Sequence, residues 1–438
     1  MTTKYMERLA KIEEVLLIAN KKIDLNELRA GCSYGVPESL RPLAWRLLLH
    51  YLPLERHDWQ KFLAEQRKNY DDMIEQIIVE PGTASMAINS VQEEEDHDHP
   101  LSDHPTSDWS AFFQDNKVLS QIDKDVRRLY PEIQFFQLLS KFPHPHGMKY
   151  PLSRRVINHQ ELTSQEFGAN RDGIVGCVKT KVAKSQDENQ APNSEFHWHF
   201  SLLTALLNSN FQIVERILFI YAKLNPGVQY VQGMNELVAP IYYVFANDSD
   251  EEWAAYAEAD TFFCFQQLMS EVKDNFIKTL DDSICGIESS MSAFHNMISS
   301  FDSELHKHLT STLEIKPQFY AFRWLSLLLS QEFPLPDVIT LWDALFSDPQ
   351  RFALLQYVCL AMMELQRESL LQGDFPFCVR LLQNYPDTDV AKIVAFAQDI
   401  RDGKATRPVP KEASKGSKIA RHARQLSDTL RNLSIIKK

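Results

Sequence analysis

The sequence predicts an all-α fold, and three observations carry that expectation. Only 13 of the 438 residues are glycine. No run of alternating Val, Thr and Ile is sustained, so the period-two signature of a strand is missing. Apolar residues make up 44% of the chain and recur at three-and-four spacing, enough to bury a sizeable helical core.

The elements follow in order. Met1 to Leu16 mixes Lys4, Glu7, Arg8, Lys11, Glu13 and Glu14 with apolar residues. That pattern is an amphipathic surface helix, not a signal peptide, and residues 1–30 read as a helical N-terminal extension. Gly35-Val36-Pro37 breaks the chain before a helix near 38–50, with Leu40, Leu43, Ala44, Leu47 and Leu48 on one face. Another helix follows, and then a polar loop running from Glu93 through His99 to His104-Pro105. Trp109 to Tyr130 returns to helical periodicity.

Residues 142–196 lose that periodicity. Pro143, Pro145, Gly147, Pro151, Gly168, Gly173, Gly176 and Pro192 interrupt polar sequence there. The stretch reads as a largely disordered insertion. From His197 to Ile400 the chain is helical again. Phe211 to Leu224 is apolar on most faces, the mark of a buried helix, and Asn225-Pro226-Gly227 ends it. Further helices are expected near 235–247, 252–279, 287–299, 302–311, 317–332, 336–346, 350–371, 375–383 and 387–401. No fixed repeat period appears, which argues against a solenoid. Residues 402–438 read as a separate basic tail. Ten basic against two acidic residues over 403–438 leave that part at +8 and the rest of the chain at -21. Ile419, Leu426, Leu430, Leu433 and Ile436 fit one side of a basic helix suited to a lipid surface, but the composition fits a disordered, solvated tail better.

Composition and motifs exclude several functions. A net charge of -13 argues against nucleic acid as the main partner. The six cysteines are scattered, with no CxxC pair, as expected of buried free thiols in a reducing compartment. No apolar run approaches the roughly 18 residues of a spanning helix, so a cytoplasmic protein is expected, with membrane contact at most peripheral. Asp96-His97-Asp98-His99 with His104, and His197-Trp198-His199, lack any visible supporting shell, and no metal site is expected at either. GxSxG, P-loop and HExxH motifs are absent. The chain therefore offers no nucleotide site, hydrolase triad or cofactor site of its own.

Two segments carry chemistry. In Gln121–Pro131, Ile122, Asp125, Val126 and Leu129 share an inward face. Asp125 and Arg128 are three apart and within reach of each other. Pro131 disfavours helix at Tyr130, which puts Arg128 in the last turn with its side chain free to project past the helix end. In Tyr230–Glu236, a helix opens after a turn. Gly233 permits close backbone approach, and the Gln232 amide, with donor and acceptor atoms, can hold and orient a water. Taken alone, the first segment is better read as a surface arginine favoured by the helix dipole, and the second as an ordinary capping turn with a satisfied polar side chain.

Together the residues resemble the TBC-domain Rab GTPase-activating proteins, known by an IxxDxxR and a YxQ motif. Ile122, Asp125 and Arg128 match the first, Tyr230 and Gln232 the second, in the family's order. Gly35, Pro37, Arg41 and Trp45 resemble the family's opening GxPxxxRxxxW. Leu341-Trp342-Asp343 after Pro334-Leu335 resembles its late WD segment. The resemblance covers roughly 20–400, outside the insertion.

Several expectations follow from the resemblance. The fold is a two-lobed helical TBC domain over residues 31–401. The partner is a Rab-family GTPase in its GTP-bound form, which brings GTP and Mg²⁺. Arg128 is an arginine finger and Gln232 a glutamine finger, both supplied in trans. Asp125 holds Arg128, Tyr230 and Asn235 shape the turn that presents Gln232, and Arg41 and Trp45 build the groove wall. The chain itself hydrolyses nothing, and the setting is vesicle trafficking. Two departures stand out: Leu129 replaces the threonine common after the finger, and 199–212 is longer than the family spacing suggests. The rival readings are a Rab-binding scaffold without activity and a trafficking adaptor acting through the tail.

Overall fold

The computed structural model describes residues 3–18, 22–78, 108–145, 152, 156, 209–277 and 286–405. The first lobe is reached through α1 (Thr3–Leu17), α2 (Leu25–Cys32) and α3 (Arg41–Leu48). Asp24 caps α2 by accepting from the amides of Asn26 and Glu27, and Pro42 sits in the first turn of α3, where its missing N–H costs nothing. The lobe then comprises α4 (Trp59–Ile77), α5 (Asp108–Val126), α6 (Asn210–Leu224), α7 (Met234–Ala246), α8 (Glu251–Ala254) and α9 (Ala257–Val272). α6 is buried on nearly every face, as its sequence requires, and packs against α4, α5, α7 and α9.

The second lobe holds α10 (Ile287–Phe301), α11 (Ser303–Lys307), α12 (Ala321–Ser326), α13 (Leu335–Phe346), α14 (Ala353–Leu365), α15 (Arg367–Gln372), α16 (Phe375–Gln383) and α17 (Val390–Arg401). α14 packs on α10, α12 and α17. α13 meets α2, α3 and α7, so it joins the lobes. The fold is all-α among the described residues, with one isolated antiparallel bridge between Leu139 and Ser209.

Three expected helices differ. The helix expected over 252–279 is two, α8 and α9, separated at Ala255-Tyr256. The one over 350–371 begins at Ala353, because Arg351 and Phe352 have φ of 46° and 58°, and it breaks again at Gln366. The one over 317–332 stops at Ser326. Leu328 and Leu329 take φ of 50° and 61°, and the Trp342 indole claims the Leu328 carbonyl at 3.0 Å. Two consecutive left-handed residues cannot continue a right-handed helix.

Buried charges are paired. In the first lobe Arg216 grips Glu258 through two bonds of 2.6 and 2.7 Å, and Arg46 reaches Asp260 at 2.9 Å and Asp248 at 3.0 Å. Cys32, Cys264, Cys359 and Cys378 are buried free thiols. Burial pushes the thiols of Cys32, Cys264 and Cys359 well up from their ordinary value, which makes them inert. Among the described residues no helix is long and apolar enough to cross a membrane. Cys177, Cys285, the acidic histidine loop with His104, His197–His199 and the tail beyond 405 lie outside the described residues. At the start of the expected insertion, His144 bonds Asp71 at 2.8 Å, and Leu152 and Val156 are buried. Its remainder is also outside them.

Candidate functional site

Arg128 does not lie in the last turn of α5. The helix ends at Val126; the Arg127 amide still bonds Asp123 O at 3.1 Å, and the two after it tighten to three-residue bonds, Arg128 N to Asp125 O and Leu129 N to Val126 O, each 3.2 Å. Tyr130 then takes a left-handed φ of 38° before Pro131. Arg128 sits in this turn just past the helix end, while Ile122, Val126 and Leu129 are fully buried and anchor it. Leu129, the departure from the family's threonine, therefore adds apolar anchoring where a hydroxyl would need a partner.

Arg128 is nevertheless held. Its Nη2 donates to Asp125 Oδ1 at 2.6 Å and its Nε to the Lys124 carbonyl at 3.0 Å. The side chain remains 70% exposed. Asp125 is only 7% exposed, and its other oxygen, Oδ2, accepts from the Tyr230 hydroxyl at 2.8 Å. One buried carboxylate thus ties the two sequence motifs together. Burial, and then the negative Asp125 beside it, push the Tyr230 phenol far above its ordinary value, so it stays a donor. Asn235 completes the knot. Its Oδ1 lies 3.3 Å from the Tyr230 hydroxyl, and its Nδ2 lies 3.5 Å from the Asp125 carbonyl.

Gln232 is exposed two residues after Tyr230. Gly233 follows with φ of 105°, and a Cβ there would meet Leu327 Cδ2 at 2.7 Å. Both conformation and space demand glycine. Gly233→Ala is expected to cost about 1–3 kcal/mol and to displace the Gln232 turn; a lowered melting temperature checks it.

Comparison with known proteins bears on this geometry. A family model described as the Rab-GTPase-TBC domain matches residues 203–371, a span that includes Tyr230, Gln232 and Asp343 but begins after Arg128. TBC1 domain family member 13 of Homo sapiens is 46% identical over 417 residues, covering 92% of this chain and 100% of the relative. The chain belongs to the Rab-GTPase-TBC domain family. A TBC domain-containing protein of Schizosaccharomyces pombe is 33% identical, covering 98% of this chain and 78% of its own length. The crystal structure of the Ypt/Rab-GAP domain of Gyp1p shares the fold, with a TM-score of 0.60 at 21% identity over 92% of this chain and 99% of that one.

Within this TBC domain the opening and late motifs meet at Asp343, which is fully buried. Its carboxylate accepts from Val36 N at 2.8 Å, from Arg41 Nε at 3.1 Å and from Trp45 Nε1 at 2.7 Å. Arg41 and Trp45 thus act far from the fingers in sequence and hold α3 against α13. Burial pushes the Asp343 carboxyl up to about 6, and Arg41, Val36 N–H and the indole pull against that rise.

The segment Leu327–Gln331 was not legible as part of the site. Leu327 packs over Gly233. Trp342 holds Leu328 from behind. The Ser330 carbonyl accepts from the Tyr130 hydroxyl at 3.4 Å. One irregular segment of the second lobe therefore braces both finger turns of the first. Its only sequence signal is indirect: the tryptophan at 342 needs an acceptor for its N–H.

Proposed function

We propose that the protein accelerates GTP hydrolysis on a Rab-family GTPase in its GTP-bound form, supplying Arg128 and Gln232 in trans. The reading rests on one observation above the others: Asp125 bonds Arg128 through one oxygen and Tyr230 through the other. An arginine and the tyrosine two residues before the glutamine are thereby fixed to one carboxylate, with Arg128 and Gln232 both exposed. Charge that builds on the transferring phosphoryl group needs a cation, and an arginine finger is worth about 10³–10⁵ in rate. The attacking water needs an orienting amide, which is the part assigned to Gln232. GTP and Mg²⁺ come with the partner, so the chain alone is expected to be inert toward GTP.

The proposed TBC domain runs over 31–401. Gln398 in α17 donates to the Ser33 carbonyl at 3.1 Å, which ties its two ends. A cytoplasmic setting in vesicle trafficking, with the basic 403–438 tail touching anionic membrane, completes the proposal.

The test is GTP hydrolysis by a panel of Rab proteins with and without the full chain. Gln232→Ala is expected to lower the stimulated rate about tenfold or more with an unchanged melting curve. A wild type that binds a Rab yet accelerates none would turn the reading into that of a scaffold. Loss of function on removing 403–438, with Arg128→Ala intact, would turn it into that of an adaptor.

A further inference from the structure

Gln232 is exposed, and its turn is held by Tyr230 on one side and by Leu327 over Gly233 on the other. The side chain that follows it at helical spacing is Glu236, in the first turn of α7. Glu236 is half-buried, although it carries a carboxylate on a protein whose surface has room for it. Its Oε1 accepts from Asn235 Nδ2 at 3.3 Å, and the Gln331 side-chain amide lies near enough to favour its charged form. Asn235 belongs to the knot around Asp125 and Tyr230. Gln331 belongs to the bracing segment of the second lobe. Glu236 therefore spans the two.

We infer that Glu236 is a positioning residue for Gln232, locking the finger turn between the Asp125 knot and the Leu327–Gln331 segment. The inference rests on the Rab-GAP reading for its catalytic consequence, though not for the lock itself.

The lock has a chemical sense. A carboxylate facing two side-chain amides accepts from both. A protonated carboxyl presents one good acceptor and one hydroxyl, so it serves the pair less well. Burial pushes Glu236 up to about 7; Gln331 and Asn235 pull it down, and Asp125 and Glu132 push it further up. The other titratable groups facing it are the phenols of Tyr130 and Tyr230, both held far above their ordinary range by burial. Neither changes charge near neutrality. A group poised near 7 in this place makes the lock tighten as pH rises through neutrality.

The experiment uses the full chain and two variants, Glu236→Ala and Glu236→Gln. Amide hydrogen exchange at 233–236, where Met234 N bonds Val231 O and Glu236 N bonds Gly233 O, reads the turn without any GTPase. Exchange is expected to speed up in Glu236→Ala. With the Rab that the panel identifies, kcat should fall about tenfold in Glu236→Ala at unchanged KM, the scale of a modest misplacement. The wild-type stimulated rate should step up between about pH 6 and 8, the range around that poised carboxyl, and Glu236→Gln should remove the step. Unaltered exchange in Glu236→Ala, or a wild-type pH step persisting in Glu236→Gln, overturns the inference. If wild type accelerates no Rab, the Rab-GAP reading has failed instead, and the exchange result alone decides whether Glu236 holds the turn.

Discussion

Arg128→Ala is expected to cut Rab-stimulated GTP hydrolysis by at least tenfold and toward 10³–10⁵, while the protein folds as before. The loss corresponds to roughly 4–7 kcal/mol of barrier at the upper end. Folding should not notice, because the side chain is 70% exposed and its ion pair with Asp125 is half in solvent. Asp125 keeps its Tyr230 bond in the variant. Arg128→Lys should rescue little. The guanidinium spends Nε on Lys124 O and Nη2 on Asp125, which leaves Nη1 for the partner in a direction fixed by the plane of the group. An ammonium is a rotating point charge and cannot be held on one side while presenting the other. Single-turnover hydrolysis with a saturating amount of each variant, beside its melting curve, checks both halves. A fully active Arg128→Ala would remove the arginine from the mechanism.

Why could these residues be found at all from sequence? Asp125 and Arg128 are three apart on one helix, and Tyr230, Gln232 and Gly233 are nearly adjacent. Local spacing carries such relations, and helical periodicity supplies the rest. The same periodicity placed most of the helices, α6 above all, because a helix apolar on every side has only one place to go. What failed was the backbone that leaves regular structure. Leucine is a poor marker of left-handed φ, so Leu328 and Leu329 looked like more helix. The end of α5 was misjudged by one turn for a related reason: Tyr130 adopts a conformation that its own side chain does not advertise. Pairings across hundreds of residues were legible only as motifs. Nothing in Arg41 or Trp45 points to Asp343. The bracing segment had no motif and no local signal, so it stayed invisible until the lobes were seen together.

Asp343 is where a single substitution should damage the fold most. Asp343→Ala is expected to cost about 3–5 kcal/mol, the range for removing one partner of a buried ion pair. The carboxylate is fully buried and gathers the Val36 amide, the Arg41 guanidinium and the Trp45 indole. Its removal leaves all three donors without that acceptor, and Trp45 has no exposed surface from which to recruit water. Arg41 keeps only its bond to the Val36 carbonyl at 2.6 Å. Asp343→Asn should be milder but still costly, since the amide must turn an N–H toward one of these donors. A lowered melting temperature, ordered wild type, then Asn, then Ala, is the expected result. The mechanism has a sharper consequence. If the cost comes from stranding the Arg41 charge, then Arg41→Ala should be far less harmful in the Asp343→Ala background than in wild type. The two losses should then fail to add by more than about 1 kcal/mol, as residues in direct contact do. Additive losses would mean that Asp343 acts mainly through Val36 and Trp45, and that the arginine of the opening motif serves something other than this joint between the lobes.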